Sequence, residues 1–415
     1  MKKIHIIGGG TFSHIRNHLS LGVPAFGTTA KTLYGLFSEN SEYDVKLHLT
    51  KMADSISNLI TNDDVSRLVD DLISDNDTKV IIFNVALCDF SGQIDEVESG
   101  KYSPRLKSRF DKKNIILTPT DKIISRIRKE RKDIFLVAFK TTCGASIQEQ
   151  YYHGLDLLKS NSCNLVFAND TKTRTNMIVV PEEAKYSVTT DRQESLEFLV
   201  KMVLARSPLK YTRSDVVQPS GQDIVKWNSC FIPSSLRTIL NFCIDNKAYK
   251  PFKNKTAGHF AVKIDDNTFL TSKRSTNFND IDEVGLVKIM ALDDDKVIAY
   301  GAKPSVGGQS QRIIFNENSD VDCIVHFHCP LSENAIDDIP IAKQWPYECG
   351  SHECGQNTSD NLKDMGNGIK AVYLEEHGPN IVFNKNINPQ LVIDFIKRNF
   401  DLSNKTGGLL TPSFA

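Results

Sequence analysis

The sequence predicts an α/β protein in two parts. The first is a doubly wound, Rossmann-like domain with a mainly parallel sheet; the second is a layered α/β/α domain with a mainly antiparallel sheet. Three observations predict this. The first half alternates continuous apolar runs with helical periodicity, as parallel strands buried on both faces require. A polar stretch containing Pro208, Pro219 and Gly221 then breaks the pattern. After it, short strand-like runs follow one another closely, with helices early and late.

In order, Ile4–Ile7 reads as the first strand and ends in Gly8-Gly9-Gly10-Thr11. Lys31–Phe37 reads as a helix, Val45–Thr50 as a strand, Leu59–Ile73 as a helix and Val80–Leu87 as a β-branched-rich buried strand. Asp121–Lys129 (helix), Ile134–Lys140 (strand), Ile147–Lys159 (helix) and Asn164–Ala168 (strand) continue the alternation. Domain 1 is therefore placed at 1–206, a linker at 207–230, domain 2 at 231–400 and a loosely held tail at 401–415. In domain 2, helix Ser234–Asp245 precedes strands Phe260–Ile264, Thr268–Thr271, Leu286–Met290, Val297–Tyr300 and Cys323–Phe327; helix Asn388–Asn399 comes late.

Composition narrows the function. The 415 residues suit two or three domains, and 40% apolar residues suffice for sizeable cores. The balance of 50 Lys+Arg against 51 Asp+Glu argues against a nucleic-acid partner. The longest near-apolar run, Val80–Cys88, falls short of the roughly 20 residues that span a bilayer. Met1-Lys2-Lys3 followed by a short apolar run reads as a first strand rather than a signal peptide. Nine cysteines without a framework fit a reducing compartment, so a cytoplasmic location is expected.

A Gly-rich turn after a first strand commonly meets phosphate through backbone N–H groups. As a dinucleotide fingerprint this one is incomplete. Ser13 stands where the third Gly belongs, and the second strand ends Leu49-Thr50-Lys51 without an acidic residue for a ribose. A nicotinamide cofactor and a turn without a ligand both stay open.

Several motifs in order resemble the phosphopantothenoylcysteine synthetase family over roughly residues 1–205. They are Ile4–Thr11, Val85-Ala86-Leu87-Cys88-Asp89-Phe90, Arg105-Leu106-Lys107-Ser108, Leu117-Thr118-Pro119-Thr120, Val137-Ala138-Phe139-Lys140-Thr141-Thr142, Phe167-Ala168-Asn169-Asp170 and Asn176-Met177-Ile178. The resemblance implies acyl-nucleotide formation from CTP or ATP with Mg²⁺, then attack by an amine. It implies a triphosphate cradle at Gly9, Gly10 and Thr11, a Mg²⁺ carboxylate at Asp89, a catalytic cation at Lys107, and nucleotide contacts from Phe139, Asn169 and Asp170. Thr141 replaces the family's Glu, and its Asn-x-Ser-Ser-Gly segment has no close counterpart.

In the second half, His326-Phe327-His328 ends an apolar strand, so both imidazoles face one side, one residue apart. His377 follows another apolar run. Three His with an open position describe a catalytic Zn²⁺ site. Cys349, His352 and Cys354 form a competing cluster, with gaps short for tetrahedral ligation; the stretch around them reads as a lid loop.

These residues, with Gly258-His259-Phe260-Ala261, Leu270-Thr271-Ser272-Lys273-Arg274, Lys303-Pro304-Ser305-Val306-Gly307 and His377-Gly378, resemble the class II aldolase/adducin family over roughly 232–400. The resemblance implies Lewis-acid lyase chemistry with His326, His328 and His377 as zinc ligands. It implies substrate-phosphate contacts at Lys273, Arg274 and Ser305, and a dimer or tetramer. The family's catalytic Glu is replaced by Gly307, so proton transfer falls to Tyr347, Glu348, His352, Glu353 or Glu376. The expectation is a bifunctional enzyme of phosphorylated small molecules. In the alternatives, only the zinc domain is catalytic and the first domain binds nucleotide, or the aldolase-like half is a non-catalytic oligomerisation module.

Overall fold

The computed structural model describes residues 1–40, 42–107, 112–278, 281, 286–292, 296–305 and 311–406. The chain divides into two compact units. Unit 1 is Met1–Pro181 with Lys185–Ser207, and unit 2 is Glu182–Ala184 with Pro208–Ala415.

Unit 1 is built on a sheet of seven strands among the described residues. Five are parallel, in the spatial order Asp44–Leu49, Lys3–Gly10, Thr78–Ala86, Phe135–Thr142, Leu165–Asp170. Numbered along the chain this is 2-1-3-4-5, with the reversal of direction between Lys3–Gly10 and Thr78–Ala86. An antiparallel hairpin, Asn176–Val179 and Lys185–Thr189, extends the edge. The central strands are apolar on both faces: Ile4, Ile6 and Ile7 are fully buried, as are Val80, Ile81 and Ile82. Helices cover them.

Capping fixes the helix starts. Helix Asn62–Ser74 begins three residues later than the apolar periodicity suggests, because Thr61 and Asp64 form a capping box. Ser146 and Glu149 do the same for Ile147–Asn161. The periodicity overlooks helix Arg192–Arg206, capped by Asp191, and the small hairpins Phe12–Arg16/Leu19–Gly22 and Phe90–Gln93/Ile116–Pro119.

Unit 2 holds a sheet of ten strands among the described residues. Its spine runs Arg213–Val217, Lys296–Tyr300, Leu286–Ala291, Thr268–Ser272, His259–Lys263, Cys323–His326, Gly378–Phe383, Ile369–Leu374, Ile341–Ala342. Only the two outermost pairings of this spine are parallel. Helices Ser234–Asp245 and Pro389–Asn399 pack on one face, through Leu236, Ile239, Leu240, Val392, Phe395 and Ile396. Helix Gln311–Glu317 packs Ile314 and Phe315 on the other, with Ala261, Ile324 and Val382. The sheet is thus sandwiched in three layers, as expected.

Two boundary expectations are corrected. The stretch 207–230 is not a simple linker: Arg213–Val217 is an edge strand of the unit 2 sheet, and Val225 and Trp227 are buried in its core. Nor is the tail loose over 401–406, where Lys405 and Thr406 are buried. Residues 407–415 lie outside the described ones. Among the described residues no helix is long and apolar enough to cross a membrane, and none of the nine cysteines is in a disulfide.

One pair in unit 1 makes its stability depend on pH. His5 Nδ1 and His48 Nε2 lie 3.0 Å apart and the rings stack. Burial, reinforced by His48, lowers the His5 pKa to about 4; burial and Lys46 lower that of His48. The unfolded chain takes up these protons near pH 6.5, so it binds more of them than the folded chain in mild acid. Unit 1 is expected to lose stability as pH falls from about 6.5 towards about 4, by at most about 1.4 kcal/mol per pH unit per group. Urea unfolding at a series of pH values checks this, and His5→Gln should flatten the slope.

Candidate metal centre

Strand Cys323–His326 lies between His259–Lys263 and Gly378–Phe383. Cys323, Val325 and Phe327 enter one core and Ile324 the other. Alternation therefore turns His326 to the Ile324 face, and His328 follows it. His377 arrives from the turn joining Ile369–Leu374 to Gly378–Phe383, closed by its own N–H donating to the Leu374 carbonyl at 3.0 Å. At Gly378, with φ of +136°, a Cβ would sit 2.2 Å from the Phe327 carbonyl oxygen. Only glycine lets the two histidine-bearing segments come this close.

The result is three buried imidazoles with ligand atoms within 4.8 Å of one another. Ring centroids are 5.0 Å apart for His326–His328, 4.6 Å for His326–His377 and 4.8 Å for His328–His377. Tautomers follow from the surroundings. His326 Nδ1–H donates to the Pro379 carbonyl at 2.7 Å and His377 Nδ1–H to Gln344 Oε1 at 2.9 Å. That leaves the Nε2 lone pairs of His326 and His377 buried without a hydrogen-bond partner among the described residues. Burial lowers the His326 pKa to about 4 and holds His377 well below its ordinary value, with the neighbouring histidines adding to the latter. Two neutral, tautomer-fixed imidazoles converging with a third fit a divalent cation.

Sequence reasoning missed the supporting groups. His259 pairs directly with His326 across the strands, its ring 4.7 Å away, and its Nδ1 accepts from Gln311 Nε2 at 2.5 Å. Gln344 also donates to the Tyr347 carbonyl at 2.6 Å, so the loop expected to act as a lid reaches His377. The motif Gly258-His259 carried a signal for the first; nothing in the pattern marked the second. Glu183 and Lys405 form a buried ion pair at 2.5 Å, with Glu183 Oε2 3.6 Å from His328 Nδ1.

Two proton-transfer candidates have hydrogen-bond partners in the segment entering unit 2. His352 Nε2 meets Thr212 Oγ1 at 2.7 Å, and the Glu353 carboxylate accepts from the Lys210 N–H at 3.1 and 3.2 Å. Both hold the segment entering unit 2. Tyr347 is half-buried, Glu348 buried and Glu376 exposed beside His377. Cys349, His352 and Cys354 do not converge; among the described residues only the three histidines form such a cluster. Gly307 lies outside the described residues.

The anion-binding candidates do meet. Arg274 N–H donates to the Lys303 carbonyl and Ser305 N–H to the Ser272 carbonyl, both at 2.9 Å, joining the exposed Lys273-Arg274 turn to Ser305. The registers Ala261↔Thr271 and His259↔His326 put this turn at the histidine end of the sheet, two strands or about 10 Å from His326.

In unit 1, the reversal point brings Gly9, Gly10, Thr11 and Asp89 to the carboxyl ends of adjacent strands. Two amides of the turn are engaged within the chain. Gly10 N–H donates to the Ala25 carbonyl at 2.8 Å and Thr11 N–H to the Ala86 carbonyl at 3.0 Å. The Thr11 hydroxyl donates to Asn62 Oδ1 and accepts from Cys88 N–H. Asp89 is exposed and pairs with Lys122 at 2.5 Å. Lys107 is exposed, and Phe139 stacks obliquely on Phe167. Asn169 is half-buried, its Oδ1 3.4 Å from the Thr141 hydroxyl. Asp170 is committed to the fold: it accepts from the N–H groups of Gly144, Ala145, Lys172 and Thr173 and from the Thr142 hydroxyl. Burial pushes its pKa up, but these bonds overcome that and hold it below the carboxylate range.

One comparison bears on unit 2 by sequence. Residues 247–387 match the family profile Class II Aldolase and Adducin N-terminal domain, so the C-terminal half resembles that family. No curated protein matches the chain. Among solved structures, the N-terminal half is similar to the DNA/pantothenate metabolism flavoprotein from Streptococcus pneumoniae. Identity is 20%, coverage is 49% of this chain and 99% of that one, and the TM-score is 0.42. A Cab2 mutant in complex with phosphopantothenate-cysteine is 17% identical, covering 49% and 85%, with a TM-score of 0.36. An L-fuculose 1-phosphate aldolase is 16% identical, covering 43% and 84%, with a TM-score of 0.30.

The close approach at Gly378 is testable. Gly378→Ala must move the His328 segment or leave positive φ, at a cost of about 2 kcal/mol or more. Thermal unfolding should show that loss, whereas Gly366→Ala, where φ is also positive but a Cβ meets nothing, should lose less.

Proposed function

We propose that unit 2 is a zinc-dependent lyase of aldolase type acting on a phosphorylated or otherwise anionic carbonyl compound. The observation that carries this is the convergence of His326, His328 and His377, buried and neutral where titration is resolved, within the stretch that matches the aldolase profile. His326 and His377 would hold the ion through Nε2, and His328 would complete the set. Bound zinc supplies Lewis acidity, polarising a carbonyl so that an adjacent C–C bond can break or form. Around it, Lys273, Arg274 and Ser305 bind the anionic end of the substrate, about 10 Å away, through charge and hydroxyl contacts. Proton transfer at the reacting carbon falls to Tyr347, Glu348, His352, Glu353 or Glu376, of which His352 and Glu353 also bond the segment entering unit 2. An oligomer and a reducing, cytoplasmic setting complete the reading; cysteines outside disulfides suit such a setting.

For unit 1 we propose a CTP- or ATP-dependent carboxylate–amine ligase of the phosphopantothenate–cysteine type. Asp89 would serve Mg²⁺ and Lys107 the developing charge, with Gly9, Gly10, Thr11, Phe139, Asn169 and Asp170 framing the nucleotide. A second reading is that unit 1 binds nucleotide and unit 2 alone is catalytic; the ion pair of Asp89, the Mg²⁺ candidate, with Lys122 favours it.

Two measurements test these readings. Purified protein is expected to hold about one zinc per chain by elemental analysis, lost in His326→Ala and His377→Ala; full occupancy in both variants would refute the centre. Pyrophosphate release from CTP or ATP across a panel of carboxylates is expected for the ligase and should drop at least about 100-fold in Asp89→Ala. Nucleotide binding without pyrophosphate release would select the second reading.

A further inference from the structure

We propose that Glu183 positions His328 for metal binding, with Lys405 as its counter-ion; this rests on the metal centre proposed above. Glu183 lies in Glu182–Ala184, which belongs to unit 2 although both flanking stretches of chain belong to unit 1. The carboxylate is 1% exposed and the Lys405 ammonium is buried with it. Such a charge is kept inside a protein only with compensation, and two groups provide it. Lys405 Nζ is 2.5 Å from Oε2, and His328 Nδ1 is 3.6 Å from the same oxygen. The second distance exceeds a hydrogen bond but keeps the imidazole inside the field of the carboxylate.

That field favours the His328 tautomer with its proton on Nδ1, leaving Nε2 as the donor. It is the role that the Pro379 carbonyl fills for His326 and Gln344 for His377. Of the three outer partners only Glu183 is anionic, and an anion behind a ligand raises its basicity and offsets the charge of a bound cation. The surrounding chain holds this arrangement on two sides. Glu182 Oε1 accepts from Cys349 N–H at 2.5 Å. Next to Lys405, Thr406 donates its N–H to the His328 carbonyl at 3.2 Å and its hydroxyl to the His377 carbonyl at 2.9 Å.

The test is metal affinity of the full chain, by chelator competition with Zn²⁺ and by the visible spectrum of the Co²⁺-substituted protein. Glu183→Ala is expected to weaken binding about 10- to 100-fold and to change the Co²⁺ bands. Glu183→Gln, which keeps an acceptor and folds more readily, should recover part of the affinity. Lys405→Met removes the counter-ion and leaves the carboxylate beside His328. It should melt lower yet bind metal as tightly as the parent or more so. Parental affinity and spectrum in both Glu183 variants, with binding lost in His328→Ala, would overturn the proposal and leave the centre standing. So would a Lys405→Met loss equal to that of Glu183→Ala, which would mean that the pair only seats the tail. Parental binding in His326→Ala and His377→Ala would remove the centre and this proposal together.

Discussion

Two buried imidazole nitrogens with no hydrogen-bond partner among the described residues set the terms for unit 2. An unsatisfied buried acceptor costs about 1–3 kcal/mol, and His326 and His377 each carry one at Nε2. Their Nδ1 atoms are fully used, so neither ring can turn to relieve the deficit without breaking a good hydrogen bond. The surrounding fold therefore does more than enclose the rings. It prevents their relaxation, and the nitrogens stay converged.

That constraint explains features that otherwise look unrelated. The sheet register fixes which residues stand opposite His326: His259 on one neighbouring strand and Asn380 on the other. A slip of one residue would turn His326 into the opposite, wholly apolar core. Gly378 permits the approach of a second backbone, and the hydrogen bonds of Thr406 tie the carbonyls of His328 and His377 to one short segment. Rigid placement of ligands before the metal binds is what separates a usable site from a loose cluster of histidines.

Much of this was legible in the sequence because strands announce themselves by period and glycines by position. The parallel strands of unit 1, helix Ser234–Asp245 and the strand ending at His326 all follow from local pattern. So did the three histidines, since an i, i+2 pair at a strand end has one geometric reading. What the pattern hid is non-local. Arg213–Val217 is too polar to look like a strand and becomes one by pairing with Lys296–Tyr300. Gly8-Gly9-Gly10-Thr11 looks like a phosphate turn, yet the demand for glycine comes partly from neighbouring chain. A Cβ on Gly10 would lie 1.8 Å from the Val23 carbonyl oxygen. Glu183 sits in a charged stretch that reads as an ordinary surface turn, and only the tertiary fold buries it.

The discontinuity of unit 2 bears on how such a protein can be divided. Cutting the chain after Ser207 would yield a fragment with the aldolase-matching stretch, the whole ten-stranded sheet and all three histidines. By every sequence criterion that fragment is a complete module. It would nevertheless lack three residues, among them the one carboxylate paired with Lys405, and would carry a buried ammonium with its partner left on the other piece. Recombination at this boundary, in the laboratory or in evolution, separates Lys405 from its carboxylate. The two halves are joined by chain at 207–208 and again on either side of Glu182–Ala184.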